Sequence, residues 1–398
     1  MATLWSFNTP ARFWRCQPDP GEEAWQAAAK RAMAALDLPV APGDVEGLLA
    51  ITLGEGLFGP HHFRLSPARS VYYEVKPLLP RAVIDLLKQA SARFARGGFP
   101  LGWPVEDRYV RFQWEIMRRL LEVTGQPDLA FWHFWPEGRR FAFVLTHDIE
   151  SAEGQARVRA VADLEESLGF RSVFNFVPES YPLDGNLMQE LRERGFEIGV
   201  HGLRHDGKLF RSQAVFERRA ARINGYLREF GAVGFRAELT HRHPHWMQAL
   251  EVEYDLSFFD TDPFEPIPGG VMSIWPFTVG RFVELPYTLV QDCTLTHVLG
   301  ETTPRVWHDK VDFIARHHGM ALLIAHPDYA RDETTWRVYA DFLRSMKAQS
   351  DVCWHALPRD VARWWRSRGE ASAGSEPPGA VMAHVRLVGD RIACEVEK

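Results

Sequence analysis

The sequence predicts an α/β fold: a (β/α) barrel over residues 139–370, with a mainly helical N-terminal module over 1–138 and a linker plus short β extension over 371–398. Three observations lead there. From Arg140 onward, short apolar runs alternate with helical stretches, the pattern of parallel strands joined by crossover helices. The residues with chemical potential directly follow those apolar runs, and a β/α barrel carries its active site at the C-terminal ends of its strands. Before residue 139 the apolar positions recur every three or four residues instead, the helical period.

Taken in order, helices are expected over 22–36, 80–96 and 107–124, separated by Pro- and Gly-rich segments at 54–60 and 97–104. The run Phe141-Ala-Phe-Val-Leu145 reads as a buried strand. A helix over 153–168 follows and closes at Gly169, a C-terminal capping glycine. Strand 172–177, helix 187–194 and strand 196–200 come next, then helix 215–230 and a strand beginning Gly234-Phe-Arg236. Residues 321–325 form a late, wholly apolar strand, 357–368 a last helix, and 371–379 a small-residue linker. The alternation across 381–396 reads as a hairpin.

The bulk composition narrows the function classes. The 398 residues carry a net charge of −6, without the basic footprint of a nucleic-acid binder. No window approaches the roughly 20 apolar residues of a membrane span, and the N-terminus lacks the pattern of a secretory signal. Cys16, Cys293, Cys353 and Cys394 have no paired spacing, which argues against a zinc-thiolate site or a disulfide framework. A cytoplasmic protein with reduced thiols is the expectation. Many of the 14 tryptophans fall in short aromatic clusters such as residues 131–135, expected mainly in the core.

Four segments carry chemistry. His201-Gly-Leu-Arg-His205 follows an apolar strand, and two histidines four apart can share one face of a helical turn and ligate one metal. In Thr146-His-Asp148-Ile-Glu150, extended backbone would point Asp148 and Glu150 the same way and Ile149 toward the core. One carboxylate with two imidazoles makes an open three-ligand site, leaving the other carboxylate to act as a base; the residues alone do not say which is which. Arg236, ending a strand, would keep such a base ionised and oriented. His326, ending the strand before Pro327, suits a general acid. His241, His243 and His245 form an H-x-H-x-H run that reads as an exposed loop rather than a second metal site. The stretches 260–265 and 284–287, with Gln291 and Asp292, are candidates for shaping a cleft.

In their order, T-H-D-I-E, E-I-G-V-H-G-L-R-H, G-F-R-A and L-L-I-A-H, these segments resemble the polysaccharide deacetylase (NodB-like) family of carbohydrate esterases, in a branch with a T-H-D-x-[DE] first motif. The resemblance spans about residues 140–368 and implies a distorted (β/α) barrel. It implies a divalent metal, usually zinc, held by one carboxylate and two histidines. Carried over residue by residue, it makes Glu150, His201 and His205 the metal ligands. Asp148 becomes the catalytic base, Arg236 its partner and His326 the acid. This sequence departs from the family's usual pattern in two places: Ile149 stands where a second Asp is common, and Arg236 is followed by Ala237 and Glu238 rather than x-Pro.

The expected activity is hydrolysis of an N-acetyl or other acyl amide on an amino sugar or glycan intermediate, within surface polysaccharide or glycan metabolism. A cytoplasmic location would favour a nucleotide-linked, lipid-linked or small sugar substrate. Two alternatives stand beside it: hydrolysis of another non-peptide C–N bond, and a catalytically degenerate member that binds glycan.

Overall fold

The computed structural model describes residues 3–34, 36–65, 97–371, 376–389 and 391–397, together with the single positions 69, 75 and 95. The helix expected over 80–96 lies outside the described residues.

The barrel is assembled from strands whose burial explains their sequences. Strand β2 (Phe141–Ile149) is buried at every position, so both faces must be covered and the run is apolar until its chemical end. It extends four residues beyond the expected 141–145, because Thr146 to Ile149 pair in parallel with Val173 to Phe176 of β3 (Val173–Phe176). Strand β4 (Glu197–His201) pairs with β3, β5 (Gly234–Arg236) with β4, and β6 (Tyr254–Asp255) with β5, all in parallel. Beyond β6 stands the hairpin of β7 (Phe277–Val279) and β8 (Phe282–Glu284), with β8 parallel to β6. On the other side of β2 runs β9 (Met320–Ala325), again parallel. Single parallel bridges, Phe259 to Tyr287 and Leu289 to Leu323, carry the chain from the β6 side to β9 and bring the sheet round on itself. β10 (Cys353–His355) pairs with the first residues of β2.

The crossover helices cover this sheet. Val158–Ser167, Gly185–Glu193, Gln213–Phe230, Arg305–Arg316, Glu333–Lys347 and Pro358–Glu370 each bury one apolar face. Several begin at a side-chain cap of the usual kind: Asp184, Ser212 and Asp332 each accept backbone N–H groups of the first turn. The helix expected over 153–168 is broken in two, Ala152–Gln155 and Val158–Ser167, at a tight turn in which Arg157 N donates to Gly154 O at 3.0 Å.

The N-terminal residues supply helices Glu22–Met33 and Arg108–Thr124, which pack on each other, and one strand, β1 (Asp128–Trp132). The C-terminal hairpin, β11 (Met382–Val388) and β12 (Arg391–Val396), pairs antiparallel with β1. The two ends of the chain therefore share one small sheet. Arg368, 2% exposed, joins them to the barrel by donating to Phe13 O, Trp132 O and His133 O. Around it Phe13, Trp14, Phe134 and Trp275 pack ring to ring at 5.0–5.8 Å. All four cysteines are free. No helix among the described residues is long and apolar enough to cross a membrane.

Candidate active site

The ends of β2, β4 and β5 and the residue after β9 converge on one point. Glu150, His201 and His205 each bring one ligand-type atom there, all within 4.8 Å of one another. His205 Nε2 lies 3.0 Å from Glu150 Oε1. His201 Nε2 lies 3.9 Å from Asp148 Oδ2. His326 Nε2 approaches Glu150 Oε1 from the other side at 4.0 Å. The six residues singled out in the sequence are thus brought together.

The side chains reach this point through strand alternation. Along β2, His147 turns away, donates from Nδ1 to Ala325 O at 3.0 Å and meets Glu165 at 2.6 Å. Asp148 turns in, Ile149 is fully buried, and Glu150 turns in again. The two histidines do not share a helical turn. His201 ends β4, whereas His205 sits in the following loop with φ +49°, after a reversal at Gly202 with φ +60°. Their rings are still only 5.1 Å apart, because the loop folds back over the strand end.

Glu238 explains how that loop is held. It stands where the family's third motif has a proline, and its carboxylate is fully buried and accepts the backbone N–H groups of Gly207 at 3.0 Å and Leu209 at 3.2 Å. The departure in the third motif is thus a fastening for the His205 loop.

The residues fit a divalent cation. His201 Nδ1 donates to Arg236 O at 3.2 Å, which leaves the Nε2 lone pair facing the cluster. That Nε2 is buried and has no hydrogen-bond partner, an arrangement costly for a polar atom unless a ligand completes it. Burial pushes the His201 imidazole down to about 4, so it is neutral and able to ligate at ordinary pH. Two nitrogens and one carboxylate oxygen with room for more are the donor set of an open zinc-type site.

Asp148 is built differently. Burial alone would raise its carboxyl, but Arg236, His201 and His326 outweigh it and hold the group at about 2. Arg236, with no exposed surface, donates from Nη1 to Asp148 Oδ1 at 3.0 Å and from Nε to Leu256 O at 2.9 Å. Asn175 Nδ2 donates to the same Oδ1 at 3.0 Å. Oδ2 is left facing His201. Opposite, burial opposes protonation of His326, but Asp292 overrides it and lifts the imidazole well above its usual range. A fixed carboxylate and a protonated imidazole on two sides of a candidate metal can take a proton at one face and give one at the other.

Three supports were not legible as such. Asn175 is the lone polar residue of β3, placed beside Asp148 by the strand register. Asp292, weighed only as part of a cleft, is the partner of His326. Asp328 accepts the backbone N–H of Glu150 at 3.1 Å and the hydroxyl of Ser151, and so positions the loop that carries Glu150. The H-x-H-x-H run corrects another expectation: it is not an exposed loop throughout. His241 is buried, and burial together with Arg242 pushes it down to about 3; His243 is half-buried, and His245 alone is exposed. Among the described residues these three form no second metal cluster.

No family model matches the chain, and no curated protein does. Solved structures do. The PuuE allantoinase superposes with a TM-score of 0.50 at 15% identity, over 60% of this chain and 95% of that one. The two share a fold. A protein described as a probable polysaccharide deacetylase from Pseudomonas aeruginosa PAO1 aligns at 18% identity with a TM-score of 0.48, over 59% of this chain and 94% of that one. The likeness bears on the fold, the distorted (β/α) barrel expected from the sequence.

Proposed function

We propose that the protein is a divalent-metal-dependent hydrolase that removes an N-acetyl group from an amino-sugar-containing substrate. The observation that supports this above all is the convergence of Glu150, His201 and His205 beside a separately held carboxylate, Asp148, and facing a cationic His326. Metal binding alone would not need that acid–base pair.

Glu150, His201 and His205 would hold the metal, and zinc suits them. When bound, such an ion supplies Lewis-acid polarisation of the acyl carbonyl and of a water. Asp148 accepts the proton of the attacking water through Oδ2, the oxygen left free by Arg236 and Asn175. Arg236 keeps Asp148 ionised and aimed, at the distance of a charge-assisted bond. His326 gives its Nε2 proton to the departing nitrogen, while Asp292 steadies the ring from Nδ1. The bond formed is water oxygen to acyl carbon and the bond broken is acyl carbon to nitrogen, leaving acetate and a free amine.

The substrate is read as a small or carrier-linked sugar intermediate in a cytoplasmic setting. The competing reading is hydrolysis of another non-peptide amide, since the acid–base pair is indifferent to the acyl donor. The deciding assay measures acetate release from acetylated amino sugars, beside ammonia or urea release from ureides, before and after chelation. Acetate release that stops on chelation and returns with zinc supports the proposal. Turnover of a ureide alone selects the competing reading, and no turnover with no metal uptake reduces the protein to a binding role.

A further inference from the structure

We propose that the cleft between residues 58–64 and the Pro266-Ile267-Pro268 segment is the subsite for a phosphoryl or pyrophosphoryl group carried by the acylated sugar. The proposal rests on the deacetylase reading for its substrate, but the cleft is a separate set of residues.

Its volume is about 650 Å³, inside the roughly 300–1,000 Å³ range of small-molecule sites. Its charge is one-sided. Among the described residues His61, His62, Arg64 and Arg69 line it and no carboxylate does, in a chain of net charge −6. The side chains of Arg64 and His61 make no hydrogen bond or ion pair with a described residue. A cationic run on a convex surface is usually only a solvated face; here the cations line an open cleft, and His62 and Arg69 are held in place.

The walls are fixed by buried contacts. Glu55, 1% exposed, accepts two bonds from Arg242, one from Gly270 N at 2.8 Å and one from His62 Nε2 at 3.3 Å. His62 stacks on Phe58 at 4.6 Å, and Phe63 lies 5.6 Å from the His243 ring. Arg69 ties down the far wall by donating to Glu265 O at 3.2 Å and to Pro266 O.

The far wall is linked to the catalytic centre through Glu265 and Gln291. Glu265, the residue before Pro266, accepts from Thr240 Oγ1 at 2.7 Å, from Tyr287 at 2.8 Å and from Gln291. Gln291 precedes Asp292, the partner of His326. A sugar with its acyl group at Asp148 and His326 would extend its charged end toward Arg64. A planar guanidinium with imidazoles beside it recognises phosphate oxygens. A neutral glycan would call for aromatic platforms and side-chain amides; among the described residues no Trp, Tyr, Asn or Gln lines the cleft, and its one phenyl ring, Phe58, is already stacked on His62.

The test uses metal-loaded full-length protein, wild type beside Arg64→Glu and Arg64→Lys. Acetate release is measured from an N-acetylhexosamine, its 1-phosphate and its nucleoside-diphosphate ester, and calorimetry follows inorganic pyrophosphate binding at equal metal content. Expected are a kcat/KM preference of about tenfold or more for the phosphorylated sugars, its collapse in Arg64→Glu, and its substantial retention in Arg64→Lys. Pyrophosphate binding should weaken about tenfold in Arg64→Glu. Equal gains for the two phosphorylated sugars assign the cleft to a sugar phosphate, and a further gain for the nucleoside diphosphate assigns it to a nucleotide. Indifference of both turnover and pyrophosphate affinity to Arg64 would overturn the subsite while leaving deacetylation intact. Arg64-dependent pyrophosphate binding without any acetate release would instead keep the subsite and sink the deacetylase reading.

Discussion

Asp292 holds His326 twice: Oδ1 accepts from the ring Nδ1 at 2.7 Å, and Oδ2 accepts the backbone N–H of the same residue at 2.8 Å. The side chain is thereby fixed in place as well as in charge. In Asp292→Asn the geometry would largely survive but the carboxylate that keeps the ring cationic would go. The expected result is a fall in kcat of about a hundredfold or more with KM changed little and the melting temperature near wild type. A folded variant with unchanged kcat would remove His326 from the reaction.

The two inward carboxylates at the end of β2, Asp148 within it and Glu150 just after it, separate by metal content. Glu150→Gln and His201→Ala should each lose bound metal on dialysis, since each removes one of three ligands. Asp148→Asn should keep the metal and lose turnover by about a thousandfold. Metal lost from Asp148→Asn but retained in Glu150→Gln would exchange the two roles.

Gly199 lies under Asn175, and a Cβ there would stand 2.0 Å from Asn175 Oδ1. Asn175 cannot give way without releasing Asp148 Oδ1. Gly199→Ala should therefore lower kcat/KM by about tenfold while leaving metal content unchanged, because it disturbs the base and not the ligands. Wild-type kinetics in the folded variant would show that Asn175 is dispensable.

Stability at acid pH tests the anchoring of the N-terminal residues. Burial would raise the Glu55 carboxyl, but Arg242 and His62 outweigh it and hold it at about 2, against an ordinary value of 4.5. A folded-state value below the unfolded one contributes stability that is fully present above about pH 4.5 and is lost as pH falls toward 2. The contribution is on the order of 3 kcal/mol. Glu55→Gln should lower the melting temperature at pH 7 and flatten its decline between pH 4.5 and 2.5, as followed by circular dichroism. An unchanged acid profile would exclude this pair as an anchor.

The role of the mainly helical module over 1–138 is tested by deletion. Residues 139–398 alone would lose β1, the partner of the C-terminal hairpin, and the Phe13, Trp14 and Phe134 side of the aromatic core. The truncated chain should be insoluble or lack a cooperative melt. Unchanged folding and activity would make the module a dispensable appendage.

Much of the barrel was legible because its signals are local. The apolar runs ending in Thr146-His-Asp148, Val200-His201, Phe235-Arg236 and Ala325-His326 put chemistry at strand ends through simple alternation. The helical turn expected for His201 and His205 was wrong for a non-local reason: the carboxylate of Glu238, 33 residues after His205 in the chain, folds their loop back over the strand. The buried placement of His241 was likewise invisible, since its cover comes from elements distant in sequence.

The sequence by itself determined the strand–helix alternation and the identity of the six converging side chains, because periodicity and residue chemistry are properties of short segments. Only the tertiary structure decided how Asp148 and Glu150 differ, that Asp292, Asn175 and Asp328 hold His326, Asp148 and the backbone of Glu150, and that both chain ends close one sheet. Those features depend on which remote backbone and charge lies beside each carboxylate, and that proximity exists only once burial of the apolar faces has brought the strands into register.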